Sequence, residues 1–146
     1  MQIEQIVKNH EAFIGWYRMS GTHSKGRFKL PSRLGNILRR RQDLSRNDRV
    51  ALFYRFHLQQ IPQYLELTDI VDPQNSALYT PCNVDKRMRF VVNRHGIESM
   101  QIDKPNRIIY VGETNRILVY REHDYDSIIR RRMEHSSSRE TAHPTL

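Results

Sequence analysis

Between Arg87 and Glu122 three turn-forming clusters, Arg94-His95-Gly96, Lys104-Pro105-Asn106 and Glu113-Thr114-Asn115, interrupt the chain at hairpin spacing. The segments they delimit, 87–93, 97–103, 107–112 and 116–122, read as four antiparallel strands of one meander. A further strand is expected over 64–71, after Pro62, and Asp72-Pro73-Gln74-Asn75-Ser76 supplies turn formers behind it.

The first half of the chain reads differently. From Gln2 to Met19 the apolar residues Ile3, Ile6, Val7, Phe13, Ile14, Trp16 and Tyr17 recur at three- and four-residue intervals, which predicts a packing helix. Residues 20–32, with two Gly, a Pro and several hydroxyls, form a long loop entering a second helix over 33–42. Ser45, three residues before Asp48, has the spacing of a capping box and predicts a third helix to about Gln59. Val50, Leu52, Tyr54, Phe56 and Leu58 alternate as a strand would, but the cap signal favours helix. The expectation is therefore an α+β fold: N-terminal helices packed on a C-terminal antiparallel β-meander. At 146 residues one domain is expected, over 1–135, and residues 136–146 have too little to bury and should form a flexible tail.

Composition narrows the function classes. No apolar run approaches the roughly 20 residues of a membrane helix. The lone Cys82 excludes an intramolecular disulfide, and Met1-Gln2-Ile3-Glu4 lacks a secretory start, so a cytoplasmic or intracellular protein is expected. Lys and Arg number 24 against 16 Asp and Glu, a formal charge of +8, and nineteen of the 24 are Arg. Arginine's planar fork holds phosphate bidentately, so this surplus points to a polyanion: RNA ahead of DNA, with anionic lipid behind. The charge is uneven. Residues 16–59 hold eleven Lys or Arg, 60–85 none, and 86–146 are basic again.

Two basic clusters are candidate nucleic-acid contacts. Lys25, Arg27, Lys29 and Arg33 line the long loop, and Arg39, Arg40 and Arg41 close the helix behind it, where the helix dipole alone also favours cations. His23 and Phe28 among them could stack on unpaired bases. Arg130, Arg131 and Arg132 form a second cluster, read as a terminal arm on phosphate, a nuclear-import-like patch or a solvated run. There is no phosphate loop, GxGxxG, GxSxG or HExxH, and the seven His are not paired as metal ligands would be. Neither a cofactor nor a metal is expected, and Cys82 reads as a structural thiol.

Asn106-Arg107-Ile108-Ile109-Tyr110, followed by Arg116-Ile117-Leu118-Val119-Tyr120-Arg121-Glu122-His123-Asp124-Tyr125, resembles the closing hairpin of the barnase-like microbial ribonucleases. The expected order of helices before sheet also agrees with that family, and the likeness covers about twenty residues. The resemblance implies a metal-independent endoribonuclease of the toxin type, with an acidic inhibitor protein as a partner. It places the phosphate clamp on Arg107, the acid for the leaving 5′-oxygen on His123 and the general base on Glu98. Such chemistry lets the RNA 2′-hydroxyl attack its own phosphate, and needs a base, an acid and a cation. With a turn at Lys104-Pro105, Glu98 falls about 13 Å from Arg107 at roughly 3.3 Å per residue, so Asp103 and Glu122 stand as alternative bases.

Each residue also has a structural reading. Arg107 can pair with Asp103, His123 can be a loop histidine between two acids, Glu98 a solvated strand residue, and Tyr110 and Tyr120 cross-strand partners. Two other functions compete: a non-catalytic basic nucleic-acid-binding accessory or matrix-like protein of viral or phage type, and a membrane-surface module.

Overall fold

The computed structural model describes residues 7–22, 26–45 and 47–141. In chain order it contains β1 (Trp16–Ser20), β2 (Arg27–Lys29), α1 (Ser32–Arg41), β3 (Val50–His57), β4 (Tyr64–Thr68) and a short 3₁₀ helix (Pro73–Leu78). There follow β5 (Thr80–Val84), β6 (Arg89–Val91), α2 (Arg94–Met100), β7 (Arg107–Glu113), β8 (Arg116–Arg121) and α3 (Glu122–Thr141). Six strands form one antiparallel sheet in the order β1-β7-β8-β4-β3-β5, and β2 and β6 pair as a separate ribbon. The expected α+β arrangement, with N-terminal helices on a C-terminal meander, is thereby corrected: the fold is mostly antiparallel sheet, its helices are sparse, and its longest helix comes last.

The local reasons are specific. Within the expected N-terminal helix, residues 7–15 are not helical and Trp16–Ser20 is a strand; Gln2–Ile6 lie outside the described residues. Gly15 at φ +90° turns the chain, and β1 then pairs along β7 from Trp16↔Val111 to Ser20↔Arg107. The Ser45–Asp48 signal is also real but local. Asp48 accepts hydrogen bonds from the Ser45 amide (2.9 Å) and hydroxyl (3.0 Å), closing a turn that does not propagate. The alternating residues behind it become β3, flanked by β4 and β5, so cross-strand pairing outweighs the cap.

Two expected meander strands also change. Residues 97–103 are largely α2, because Asn93 accepts from the His95 amide at 2.7 Å and caps a helix where the sequence suggests a turn. Residues 87–93 shorten to β6, which pairs with β2. The β7–β8 hairpin, α1 and β4 form where expected. Beyond Glu122 the chain continues as α3 through Thr141, and residues 142–146 of the expected tail lie outside the described residues.

The core lies on one face of the sheet. Ile108, Tyr110, Ile117, Val119, Leu65, Leu67 and Leu52 meet Leu34, Ile37 and Leu38 of α1, Phe28 and Phe90 of the ribbon, and Ile97 and Met100 of α2. Phe28 and Phe90 stack at 5.5 Å, which anchors the ribbon to that core. On the other face α3 contacts β7 and β8, with Tyr125 against Tyr120 at 5.7 Å.

One charged pair is fully buried. The Arg41 guanidinium donates to Asp69 (Nη2–Oδ1, 2.8 Å; Nε–Oδ2, 2.9 Å), to the Glu11 carbonyl (2.7 Å) and to Asn115 Oδ1 (3.2 Å). Both side chains are 0% exposed, and the Phe13 ring lies 4.6 Å from the guanidinium carbon. Arg41→Ala strands the Asp69 charge in the interior and should cost about 3–5 kcal/mol. Urea unfolding measures this, and Arg41→Met combined with Asp69→Leu should recover most of the loss.

Candidate nucleic-acid interface

The ribbon places cations by strand alternation. In β2 Phe28 points into the core, so Arg27 and Lys29 on either side of it face solvent. Arg89 of β6 stands directly opposite Lys29, and its Nε pairs with Asp85 Oδ2 at 2.8 Å across the tight turn before β6. Hydrogen bonds among Arg89, Arg87 and the Asp85 carboxyl hold that group below its ordinary range, against the opposing effect of burial.

A loop brings the fourth cation. Gly21 N–H donates to the Asn106 carbonyl (2.8 Å), Thr22 N–H to Ile102 (3.0 Å) and Lys104 N–H to Thr22 (3.0 Å), which knits 20–22 to 102–106. The approach requires glycine: a Cβ on Gly21 would sit 2.5 Å from the Ile102 carbonyl oxygen and 2.6 Å from that of Asn106. The result is a depression of about 390 Å³ lined by Met19–Gly21, Arg27–Lys29, Arg89 and Lys104, with no carboxylate in its wall among the described residues. Lys104 also lines an adjoining depression of about 290 Å³ that contains Arg94, Glu98 and Asp103.

The remaining expected contacts divide sharply. Arg33 is exposed on the first turn of α1, and Lys25 and His23 lie outside the described residues. Arg39 donates to the carbonyls of Ser45 (2.9 Å) and Lys86 (3.4 Å). Arg40 grips Glu11 with two hydrogen bonds, at 2.8 and 2.7 Å, which lowers the Glu11 carboxyl and raises the guanidinium. Arg41 is the buried ion-pair partner, inaccessible to any ligand, and Phe28 is 2% exposed and cannot stack on a base. Arg130, Arg131 and Arg132 are exposed on α3.

The residues assigned to catalysis fall into two groups. Arg107 and Glu122 meet at the end of the β7–β8 hairpin, with Nε and Oε2 3.8 Å apart, and Arg18 Nε approaches the same oxygen at 3.5 Å. His123 follows on the exposed first turn of α3, where its carbonyl accepts from the Ser127 hydroxyl at 3.1 Å. Glu98 pairs instead with Arg94 at 3.4 Å on α2, and both Glu98 and Asp103 line the smaller depression. The strand-based spacing of Glu98 and the Arg107–Asp103 pairing are both corrected, because 94–100 is helical and Arg107 has Glu122 beside it.

One buried network escapes a reading of the sequence. His57 Nε2 lies 2.7 Å from Glu66 Oε1, Tyr79 Oη donates to Glu66 Oε2 at 2.8 Å, and the His57 ring stacks on Tyr64 at 4.3 Å. Burial, aided by the Glu66 carboxylate, raises the Tyr79 phenol. The available signal is the strand alternation at 50–58, which puts His57 on the same side as Arg55, the register partner of Glu66. Among the described residues, no three His, Cys, Asp or Glu are grouped as a metal site. No protein-family model matches the chain, and no curated protein matches it.

Burial pushes the Cys82 thiol to about 12, leaving almost no thiolate near neutrality. In mildly alkaline buffer, iodoacetamide should leave Cys82 unmodified in the folded protein over a period that alkylates the urea-unfolded chain completely. Mass spectrometry reads the difference, and equally fast labelling of the folded form would contradict the assignment.

Proposed function

We propose that this chain is a nucleic-acid-binding protein, RNA ahead of DNA, that holds phosphate along the β2–β6 ribbon and the Lys104 loop. The observation that supports this is the depression where Arg27, Lys29, Arg89 and Lys104 converge with no acid in the wall among the described residues. It carries more weight than total charge. Arg18, Arg40, Arg41, Arg89, Arg94, Arg107, Arg116 and Arg121 all have carboxylate partners, so much of the arginine surplus serves the fold. Arg27, Lys29 and Lys104 have no carboxylate partner among the described residues. Fixed by the strand pleat and a knitted loop, they can replace phosphate counterions with little reorganisation.

Arg27→Glu and Lys29→Glu should each weaken binding to a fluorescent RNA oligonucleotide, and the double variant more so. Between roughly 50 and 200 mM salt, the slope of log K against log salt should become shallower by about 0.7 for each phosphate the variant no longer neutralises. Fluorescence anisotropy measures both, with single-stranded DNA of the same sequence as the second arm. Unchanged affinity and slope in the double variant would sink the reading.

A second reading, metal-independent endoribonuclease, draws on one arrangement: a guanidinium and a carboxylate 3.8 Å apart at the hairpin end, with His123 next in the chain and exposed. In this reading Arg107 exchanges Glu122 for the scissile phosphate, the freed Glu122 carboxylate takes the proton of the attacking 2′-hydroxyl, His123 protonates the leaving 5′-oxygen, and an acidic inhibitor protein is a partner. Labelled RNA should then be cut in the presence of EDTA, and His123→Ala should abolish cutting while leaving RNA affinity intact. RNA left whole by the wild-type protein reduces the function to binding.

A further inference from the structure

We propose that a second cavity, between the β3–β4 turn and α3, binds a nucleotide, with the phosphate on Arg121 and Arg131 and the base against the apolar wall. The cavity encloses about 590 Å³, within the roughly 300–1,000 Å³ range of small-ligand sites. It does not share the ribbon's cations and stands independently of the function proposed above.

The walls are held before any ligand arrives. At the root of the turn His57 and Tyr64 are register partners with stacked rings, and Glu66 fixes the imidazole. Across the turn, the Gln63 side chain donates to the Leu58 carbonyl at 3.0 Å. On the opposite wall Arg121 Nη1 donates to Gln101 Oε1 (2.8 Å) and Nη2 to Asp124 Oδ1 (3.1 Å). That guanidinium therefore has a fixed orientation on the cavity wall.

The lining specifies the ligand's chemistry. Leu58, Pro62 and Ile128 offer an apolar surface suited to a flat ring, and burying it there releases water. Exposed Gln59 and Gln60 in the same turn each carry an amide donor and acceptor, which matches the mixed edge of a nucleobase. Arg121 and Arg131 contribute two cations against one acid in the lining, Asp124, whose carboxylate Arg121 already engages. A flat ring with a polar edge and an attached anion satisfies all three parts. A simple anion would leave the apolar wall wet, and a neutral aromatic would leave the Arg131 charge unused.

The ligand could be a free nucleotide or the phosphorylated end of a strand, and one experiment separates them. Isotope-labelled protein is titrated, followed by NMR, with the four nucleoside 5′-monophosphates, the uncharged nucleosides, inorganic phosphate, and 5′-phosphorylated and 5′-hydroxyl trinucleotides. At least one monophosphate should give saturable shifts confined to 58–63 and 121–131. Nucleosides and inorganic phosphate should bind at least about tenfold more weakly, as expected when a charge-assisted hydrogen bond or the apolar surface goes unused. Arg131→Glu, an exposed position, should weaken the monophosphate by about tenfold or more. Ser127→Trp should fill the cavity to similar effect, with the remaining spectrum reporting an intact fold. A phosphorylated trinucleotide binding more tightly than the monophosphate identifies a strand end; equal or weaker binding identifies the free nucleotide. Arg27→Glu should leave these shifts unchanged whatever it does to RNA affinity, so failure here is distinct from failure of the ribbon site. Absence of shifts at millimolar nucleotide, inorganic phosphate binding equally well, or no effect of Arg131→Glu would each overturn the proposal.

Discussion

The architecture is organised around a guanidinium that water never reaches. Arg41 ends α1, and its backbone carbonyl accepts from the amides of Lys8 (2.8 Å) and Asn9 (3.0 Å), while its side chain engages Asp69, Glu11 and Asn115. One residue thus ties the helix to the segment leading into β1, to the chain just after β4 and to the β7–β8 turn. A buried ion pair adds little net stability over apolar packing, but satisfying it admits one arrangement of these four pieces. The Phe13 ring over the guanidinium and the Phe13–Thr114 backbone bridge reinforce the same junction.

That junction also redistributes the charge that looks external in the sequence. Three consecutive arginines at 39–41 have three different fates: donor to two carbonyls, partner of Glu11, and interior anchor. Helical geometry explains this, since successive side chains point about 100° apart and reach different neighbours. The β2–β6 ribbon does the opposite. Its two-residue period returns Arg27 and Lys29 to the same side, and the core claims only Phe28. Clustered cations on a strand stay clustered in space, whereas a consecutive run on a helix is dispersed.

Legibility in the sequence follows the same physics. The β7–β8 hairpin and α1 are readable because turn residues and the apolar period agree with each other and with the final packing. The N-terminal stripe misleads because a three-to-four spacing over residues that include Gly15 competes with the open edge of β7, a partner distant in sequence. The Ser45–Asp48 bond forms, yet β4 and β5 claim the residues after it. Asn93 caps a helix in a stretch whose spacing suggests strands. Of the site, Arg27 and Lys29 can be read, as can the contiguity of Arg107, Glu122 and His123. Lys104's convergence on the ribbon cannot, because it depends on a close passage of two loops at Gly21. Nor can the union of His57 with Glu66 and Tyr79, which needs the β3–β4 register.

The strand order leaves β1 at one margin of the six-stranded sheet, with backbone groups on its outer side lacking a neighbouring strand among the described residues. A bare margin of this kind invites another chain to lengthen the sheet, the first step towards fibrillar stacking. This one is only five residues long, begins at the Gly15 bend and carries Arg18 at its centre, tethered towards Glu122 and Asp126 on α3. A newcomer would have to accommodate that cation with few ladder bonds in return, so the placement of Arg18 protects the protein from templating its own aggregation.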